Sequence, residues 1–380
     1  MKRLLAALCV LTLSISAHAV SSLGYDFRAD YQNLQFNREA GLPNAQRFYL
    51  KTGRLYLKGT LNERISYELR WGFYKPAVET ATANSSRDSL NSSVEYANVT
   101  DHMSEVFALT VGKFNTEIGG LEGATSGADL YMVSPNYGHS AAVSISGTGA
   151  GRNLGINQSG ASNLLYMTGV KGDFIITPDQ HIYAVVANNV GDNVDSGGRF
   201  NQDRGLLGVI YKATFFEKAW TVLASYHEIS PGATTAGAAT DSSTKHSFAS
   251  AGVRYDTSAI VTSVEVNATE FKDGVGIGGK DQLASVVGKF GYKMDSWIPR
   301  LEAFVSEELV GTPAAAGGAT ARDLKNNYTG YGAVVEYKPT ADNFRYHVAY
   351  NSITSRPQFG PEQNRQEIVL GARLFGDFLK

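Results

Sequence analysis

The sequence predicts an all-β fold: a transmembrane antiparallel β-barrel of about 16 strands, with a long constriction loop folded into its lumen. Three observations predict it. Segments of roughly ten residues alternate apolar or aromatic side chains with polar ones, so that charges collect on one face. The connections between these segments alternate strictly between short and long. One connection, at about 115–161, is rich in Gly, Ser, Ala and Asn and has no helical period; a compact soluble domain rarely holds such a loop, whereas a wide barrel can fold it inside.

At the N-terminus, Met1-Lys2-Arg3 precedes an apolar run to Ile15, and Ala17-His18-Ala19 places small residues around a cleavage position. Residues 1–19 therefore read as a secretory signal peptide, and 20–380 as the barrel domain. Cys9 is the sole cysteine and would leave with the signal, so the mature chain forms no disulfide and no thiolate metal site. It interrupts the apolar core rather than ending it, which disfavours a lipoprotein. No later segment approaches the ~20 apolar residues of a spanning helix, and the mean hydropathy of -0.18 is too polar for a helical membrane protein. A secreted soluble protein or a barrel remains, and 40 Gly, 20 Tyr and 18 Phe against 10 Pro favour the barrel. The formal charge of -2 becomes about -4 without Lys2 and Arg3, which argues against nucleic acid as a partner.

The first strand spans 23–33, with Tyr25, Phe27 and Tyr31 opposing Asp26, Arg28, Asp30 and Gln32. The second, 47–59, changes parity near Gly53, where a bulge is expected; beyond it Leu55 and Leu57 oppose Arg54, Tyr56 and Lys58. In the third, Ile65, Tyr67, Leu69, Trp71 and Phe73 oppose Arg64, Ser66, Glu68 and Arg70. Strands follow at 93–100, 105–114, 162–176, 181–190, 204–214, 219–229, 246–257 and 260–271. The last five are 281–293, 298–309, 328–338, 343–353 and 366–378. The fifteenth is the clearest: Phe344, Tyr346, Val348 and Tyr350 face lipid while Arg345, His347 and Asn351 face water.

Short turns are expected at 61–63, 101–104, 177–180, 216–218, 256–258, 294–296 and 339–342, and long loops at 75–92, 115–161, 230–245 and 309–327. That asymmetry describes an outer-membrane barrel with the turns and both termini in the periplasm. Eleven residues at ~3.3 Å, tilted about 40°, rise roughly 28 Å and cover the ~25 Å apolar band.

Two stretches resemble the phosphate-selective porin O and P family. Arg54-Leu-Tyr-Leu-Lys-Gly-Thr-Leu-Asn-Glu-Arg-Ile-Ser-Tyr67 is similar to that family's second strand, turn and third strand. Val111-Gly-Lys-Phe-Asn-Thr-Glu-Ile-Gly-Gly-Leu-Glu-Gly123 is similar to its strand leading into the constriction loop. The likeness covers roughly 47–127. It departs at Glu117-Ile118-Gly119, where the family usually has a proline and an aromatic, and at the C-terminal Leu379-Lys380, where such barrels commonly end on an aromatic. The resemblance implies a 16-stranded homotrimeric porin, with phosphate among the candidate solutes.

A barrel of this size leaves an aqueous channel, and charges lining a narrow pore set its selectivity. Alternation places Arg28, Lys51, Arg54, Lys58, Arg64, Arg70, Lys113, Lys171, Lys212, Arg254, Lys289, Arg300, Lys338, Arg345 and Arg373 inward. The inward acids are Asp26, Asp30, Glu68, Glu95, Asp173, Glu265, Glu302, Glu336 and Glu367, a basic surplus of about six charges. Charges avoid lipid in any barrel, which explains much of this pattern without a filter. In the loop, Glu117, Glu122 and Asp129 face only Arg152, apart from Lys113 at the entry. A phosphate filter needs several converging arginines, so weak anion preference or little selectivity is expected.

The expectation is an exported outer-membrane porin, surrounded by lipid, that passes small hydrophilic solutes and ions by diffusion and needs no cofactor. The alternatives are a barrel-embedded hydrolase and a structural or adhesive barrel without an open pore. The scattered histidines (His102, His139, His181, His227, His246, His347) include no zinc pair, and nothing marks a catalytic constellation. Gly274–Gly279 satisfies G-x-G-x-x-G, but Asp281 stands where Ser or Thr belongs and no helix follows, so a flexible loop is expected there.

Overall fold

A computed structural model of the chain describes residues 22–37, 44–73, 93–138, 165–188, 205–229, 245–272, 280–311, 323–339 and 343–379. The expected signal peptide, Arg152, His139 and the Gly274–Gly279 stretch lie outside these residues. Sixteen strands are present among the described residues: β1 (Ser22–Phe36), β2 (Ala45–Thr60), β3 (Ile65–Gly72), β4 (Ser93–Ser104), β5 (Phe107–Asn115), β6 (Tyr166–Thr177), β7 (Gln180–Asn188) and β8 (Gly205–Phe215). The second half comprises β9 (Trp220–Ile229), β10 (Lys245–Asp256), β11 (Ile260–Lys272), β12 (Lys280–Tyr292), β13 (Trp297–Gly311), β14 (Asp323–Tyr337), β15 (Phe344–Pro357) and β16 (Gln363–Leu379). Each pairs antiparallel with its sequence neighbours, and β1 closes the barrel on β16 with Arg28 opposite Arg373. Closure leaves no unpaired edge, the condition for a sheet in lipid.

The barrel is inside-out relative to a soluble protein. Apolar side chains on the outer parity are open, among them Leu301 (63% exposed) and Val209 (54%), whereas Asp30, His347 and Glu336 on the inner parity are 2% or less exposed. A band of outward aromatics marks the short-turn end: Tyr25 with Phe378, Phe107 with Phe174, Trp220 with Tyr255, and Trp297 with Tyr337. Amphipathic rings take this position at a membrane–water interface.

Two local expectations are corrected, and one bulge is added. The parity change in β2 arises at Lys51, the extra residue between Leu50 and Thr52 opposite Ala29 and Arg28, not at Gly53. The strand expected to end at residue 100 continues to Ser104, because Asp101 pairs with Ile65 and Leu109; the turn is Glu105 and Val106. A second bulge inserts Glu95 between Val94 and Tyr96, which oppose Trp71 and Arg70, and turns its carboxylate into the lumen.

In the β8–β9 turn, Phe216, Glu217 and Lys218 all have positive φ (52°, 55°, 68°), a region disfavoured for side chains with a Cβ. Lys218→Gly is expected to raise the thermal unfolding midpoint, worth up to about 1 kcal/mol. Loss of heat-resistant gel mobility on warming measures it; a lower midpoint would refute the strain.

Candidate functional site

The chain leaves β5 and crosses the lumen as residues 116–138, carrying two short helices, α1 (Gly120–Ala124) and α2 (Pro135–Gly138). The segment contacts side chains on the inner parity of strands from β8 round to β2, so it lies against most of the inner wall. At its base, Thr116 N donates to Leu165 O (2.9 Å), and His227 Nε2 of β9 bonds Thr116 O (3.0 Å).

One sector of the wall is apolar. Ile118, Leu130 and Tyr137 of the loop pack with Phe114, Val185, Leu206, Ile210, Leu223 and Phe248 from β5 and β7–β10, and Ile118 is fully buried. A barrel of this size is expected to leave an aqueous channel, whereas this sector of its wall is a dry seat for the loop. Gly119 and Gly120 (φ 85° and 63°) turn the chain into α1. A Cβ at Gly120 would stand 2.8 Å from Ser250 Cβ and 2.9 Å from Glu265 Oε2, so only glycine allows this approach.

Wall carboxylates hold the loop by its backbone. Glu265 accepts from Leu121 N (2.7 Å) and Glu122 N (3.2 Å) at the start of α1, and Glu302 accepts from Met132 N (3.2 Å). Asn136 donates to Ser285 Oγ (2.8 Å) and accepts from Thr269 Oγ1 (2.6 Å). Tyr131 donates to Glu336 (2.8 Å); burial first, then the Glu336 charge, push its hydroxyl well above the usual phenol value.

The loop's three acids each meet a cation of the wall, which the sequence order hid. Asp129 is held by Arg345 Nη2 and Arg373 Nη1, both at 2.6 Å. Burial raises the Asp129 carboxyl, but Arg373 and Arg345 lower it by more, leaving it below the ordinary carboxylate range. Glu122 is buried, accepts from Ser134 Oγ (2.5 Å) and lies 3.5 Å from Lys289. Glu117 lies 3.6 Å from Lys212.

Around Asp129 every arginine holds a carboxylate. Arg28 pairs with Asp30 (2.9 Å) and donates to Ala128 O (2.7 Å), Arg373 also holds Asp26 (2.7 Å), and Arg345 and Arg300 both hold Glu336 (2.9 and 2.7 Å). His347 Nε2 contacts Asp30 (2.9 Å). Four guanidiniums thus face four carboxylates: Asp26, Asp30, Asp129 and Glu336. On the adjoining strands β2–β4, Arg54 and Arg70 share Glu95 (2.7 and 2.8 Å), and the Arg70 guanidinium lies 3.7 Å from the Tyr96 ring centre. Arg54 also reaches Ser126 of the loop (3.2 Å). Lys58 pairs with Glu68 (3.1 Å), and Arg254 with Asp256 (2.5 Å).

The expected basic surplus does not survive this placement. Lys113 stands opposite Ala97 and Thr168, on the same outer parity as Val111, because β5 alternates without a break. Arg64 sits in the exposed β2–β3 turn, paired with Asp101. Asp281 and Glu308 face inward together with the loop acids, against two further arginines, Arg47 and Arg365.

Comparison with known proteins agrees with this architecture. Residues 22–202 match the family model described as phosphate-selective porin O and P. No curated protein matches the chain. Among solved structures, the outer membrane channel DcaP of Acinetobacter baumannii aligns with a TM-score of 0.60 and 11% identity over 95% of this chain and 99% of its own. An anion-selective porin from Comamonas acidovorans aligns at 0.59 and 10%, over 93% and 99%. In-vitro folded OmpT, an outer membrane protein of Vibrio cholerae, aligns at 0.58 and 13%, over 96% and 99%. At such identities the likeness is one of fold.

Proposed function

Because residues 22–202 match the model of the phosphate-selective porin O and P family, we propose that the chain is an outer-membrane porin that passes small hydrophilic solutes and ions by passive diffusion. The observation that carries this reading is the inside-out wall, apolar toward lipid and polar toward the lumen. Residues 116–138 are the part that narrows the channel, and a water-filled path replaces hydrocarbon without any catalytic group. Selectivity is weak. The arginines that could form a phosphate filter already hold carboxylates, and a guanidinium so engaged has few donors left for a passing anion. Assembly is homotrimeric, an inference from the family alone.

Single-channel recording in a planar bilayer tests the proposal. Stepwise conductance is expected, with an anion-to-cation permeability ratio within about threefold of one. Well-folded protein without conductance, or a strong cation preference, would contradict it. Arg254→Gln removes a lumen charge whose side chain is 44% exposed and is expected to move the reversal potential toward cation preference; Arg70→Gln, whose side chain is 17% exposed and lies against Glu95, is expected to move it less.

A further inference from the structure

Opposite the carboxylate-paired arginines the lumen is built differently. A cavity of about 280 Å³ lies against the inner wall between β3 and β8, bounded in part by Tyr96, Asn98, Thr110, Phe114, Lys171 and Lys212. Two carboxylates complete it, Glu68 from β3 and Glu117 from the loop. Its cations are lysines, and they are loosely engaged. Lys171 Nζ lies 5.4 Å and 5.3 Å from the ring centres of Phe114 and Tyr183 and, among the described residues, has no carboxylate within ion-pair distance. Lys212, 40% exposed, has among the described residues the long 3.6 Å contact with Glu117.

We propose that this cavity is a subsite for hydroxylated carboxylates, solutes with one anionic head and a body carrying several hydroxyl groups. The proposal rests on the porin reading and names a solute class for it. The head binds at Lys171, which no carboxylate among the described residues pairs and which lies near the rings of Phe114 and Tyr183. The hydroxyls donate to Glu117 and Glu68 and exchange hydrogen bonds with Asn98 and Thr110, while the Tyr96 and Phe114 faces cover the carbon skeleton. The lining selects against the simpler alternatives. A phosphate dianion would meet two carboxylates and no arginine fork. A neutral sugar forgoes the Lys171 charge.

The test uses the full barrel in planar bilayers, with sodium gluconate, glucose and inorganic phosphate added in turn. Gluconate is expected to interrupt the current at concentrations about tenfold below those of the other two. Lys171→Gln is expected to raise the half-blocking gluconate concentration about tenfold, and Lys171→Arg to recover most of it. Equal block by all three solutes, or block unchanged in Lys171→Gln, overturns the subsite. Should that variant misfold, Lys171→Met, which keeps the stem over the rings, carries the same comparison. Calorimetric titration of gluconate into the detergent-solubilised barrel separates the two readings. Binding that Lys171→Gln weakens, in a protein that conducts nothing, would sink the porin and keep the subsite. Conductance without gluconate binding would do the reverse.

Discussion

Replacing Asp129 with alanine is expected to release the loop from β15 and β16 and to raise single-channel conductance about twofold, with rapid current noise. Arg345 and Arg373 are each 7% exposed and meet at this one carboxylate. Removing it leaves two guanidiniums side by side, with Glu336 and Asp26 as their remaining partners. Breaking a buried pair costs about 3–5 kcal/mol, and the third of Asp129 open to water places this one near or below the lower end. Acid should act in the same direction. Arg373 and Arg345 hold the Asp129 carboxyl below its ordinary value despite burial, so its contribution is fully present above the unfolded carboxylate value of about 4 and is lost as pH falls through the lower folded value. Quiet channels at neutral pH that become noisy only in strong acid would agree. An Asp129→Ala channel indistinguishable from wild type would show that the loop is held elsewhere.

A larger effect is expected from Ile118→Asp. Ile118 is fully buried between the loop and the apolar inner sector of β7–β10, where a new carboxylate would find no paired cation. Burying it unpaired costs roughly 4 kcal/mol or more, which exceeds what the loop can retain by staying seated. The loop should therefore leave the wall while the strand ladders persist. The expected readout is a conductance above that of Asp129→Ala in a protein whose heat-resistant gel mobility is unchanged. Ile118→Ala, costing about 2–4 kcal/mol, should lie between wild type and Ile118→Asp. A closed or unchanged channel in Ile118→Asp would mean that this segment does not limit flow.

Much of the barrel is legible in the amino-acid order. In β15, Tyr346 and Val348 face outward and Arg345, His347 and Asn351 inward, as alternation required. The hairpin at Asn62, whose Oδ1 accepts from Arg64 N and Ile65 N, could be placed because turn chemistry is local. The bulge expected at Gly53 lies two residues earlier, because Lys51 is where the parity slips by one residue, and a slip reverses every side chain that follows. Lys113 had no such excuse, since the parity that put Val111 outward puts Lys113 there too.

The order of residues by itself determined the number of strands, the side of the short turns and the face of most side chains, because these follow from a two-residue period and from hydrogen bonds between neighbours in sequence. Only the tertiary structure decided which charges meet. Asp26 joins Arg373 because closure sets the first strand beside the last, and Asp129 joins both Arg345 and Arg373 because the loop crosses the lumen to reach them. No local period encodes a contact across 347 residues of chain; it exists once the cylinder has closed and its inner wall has been covered.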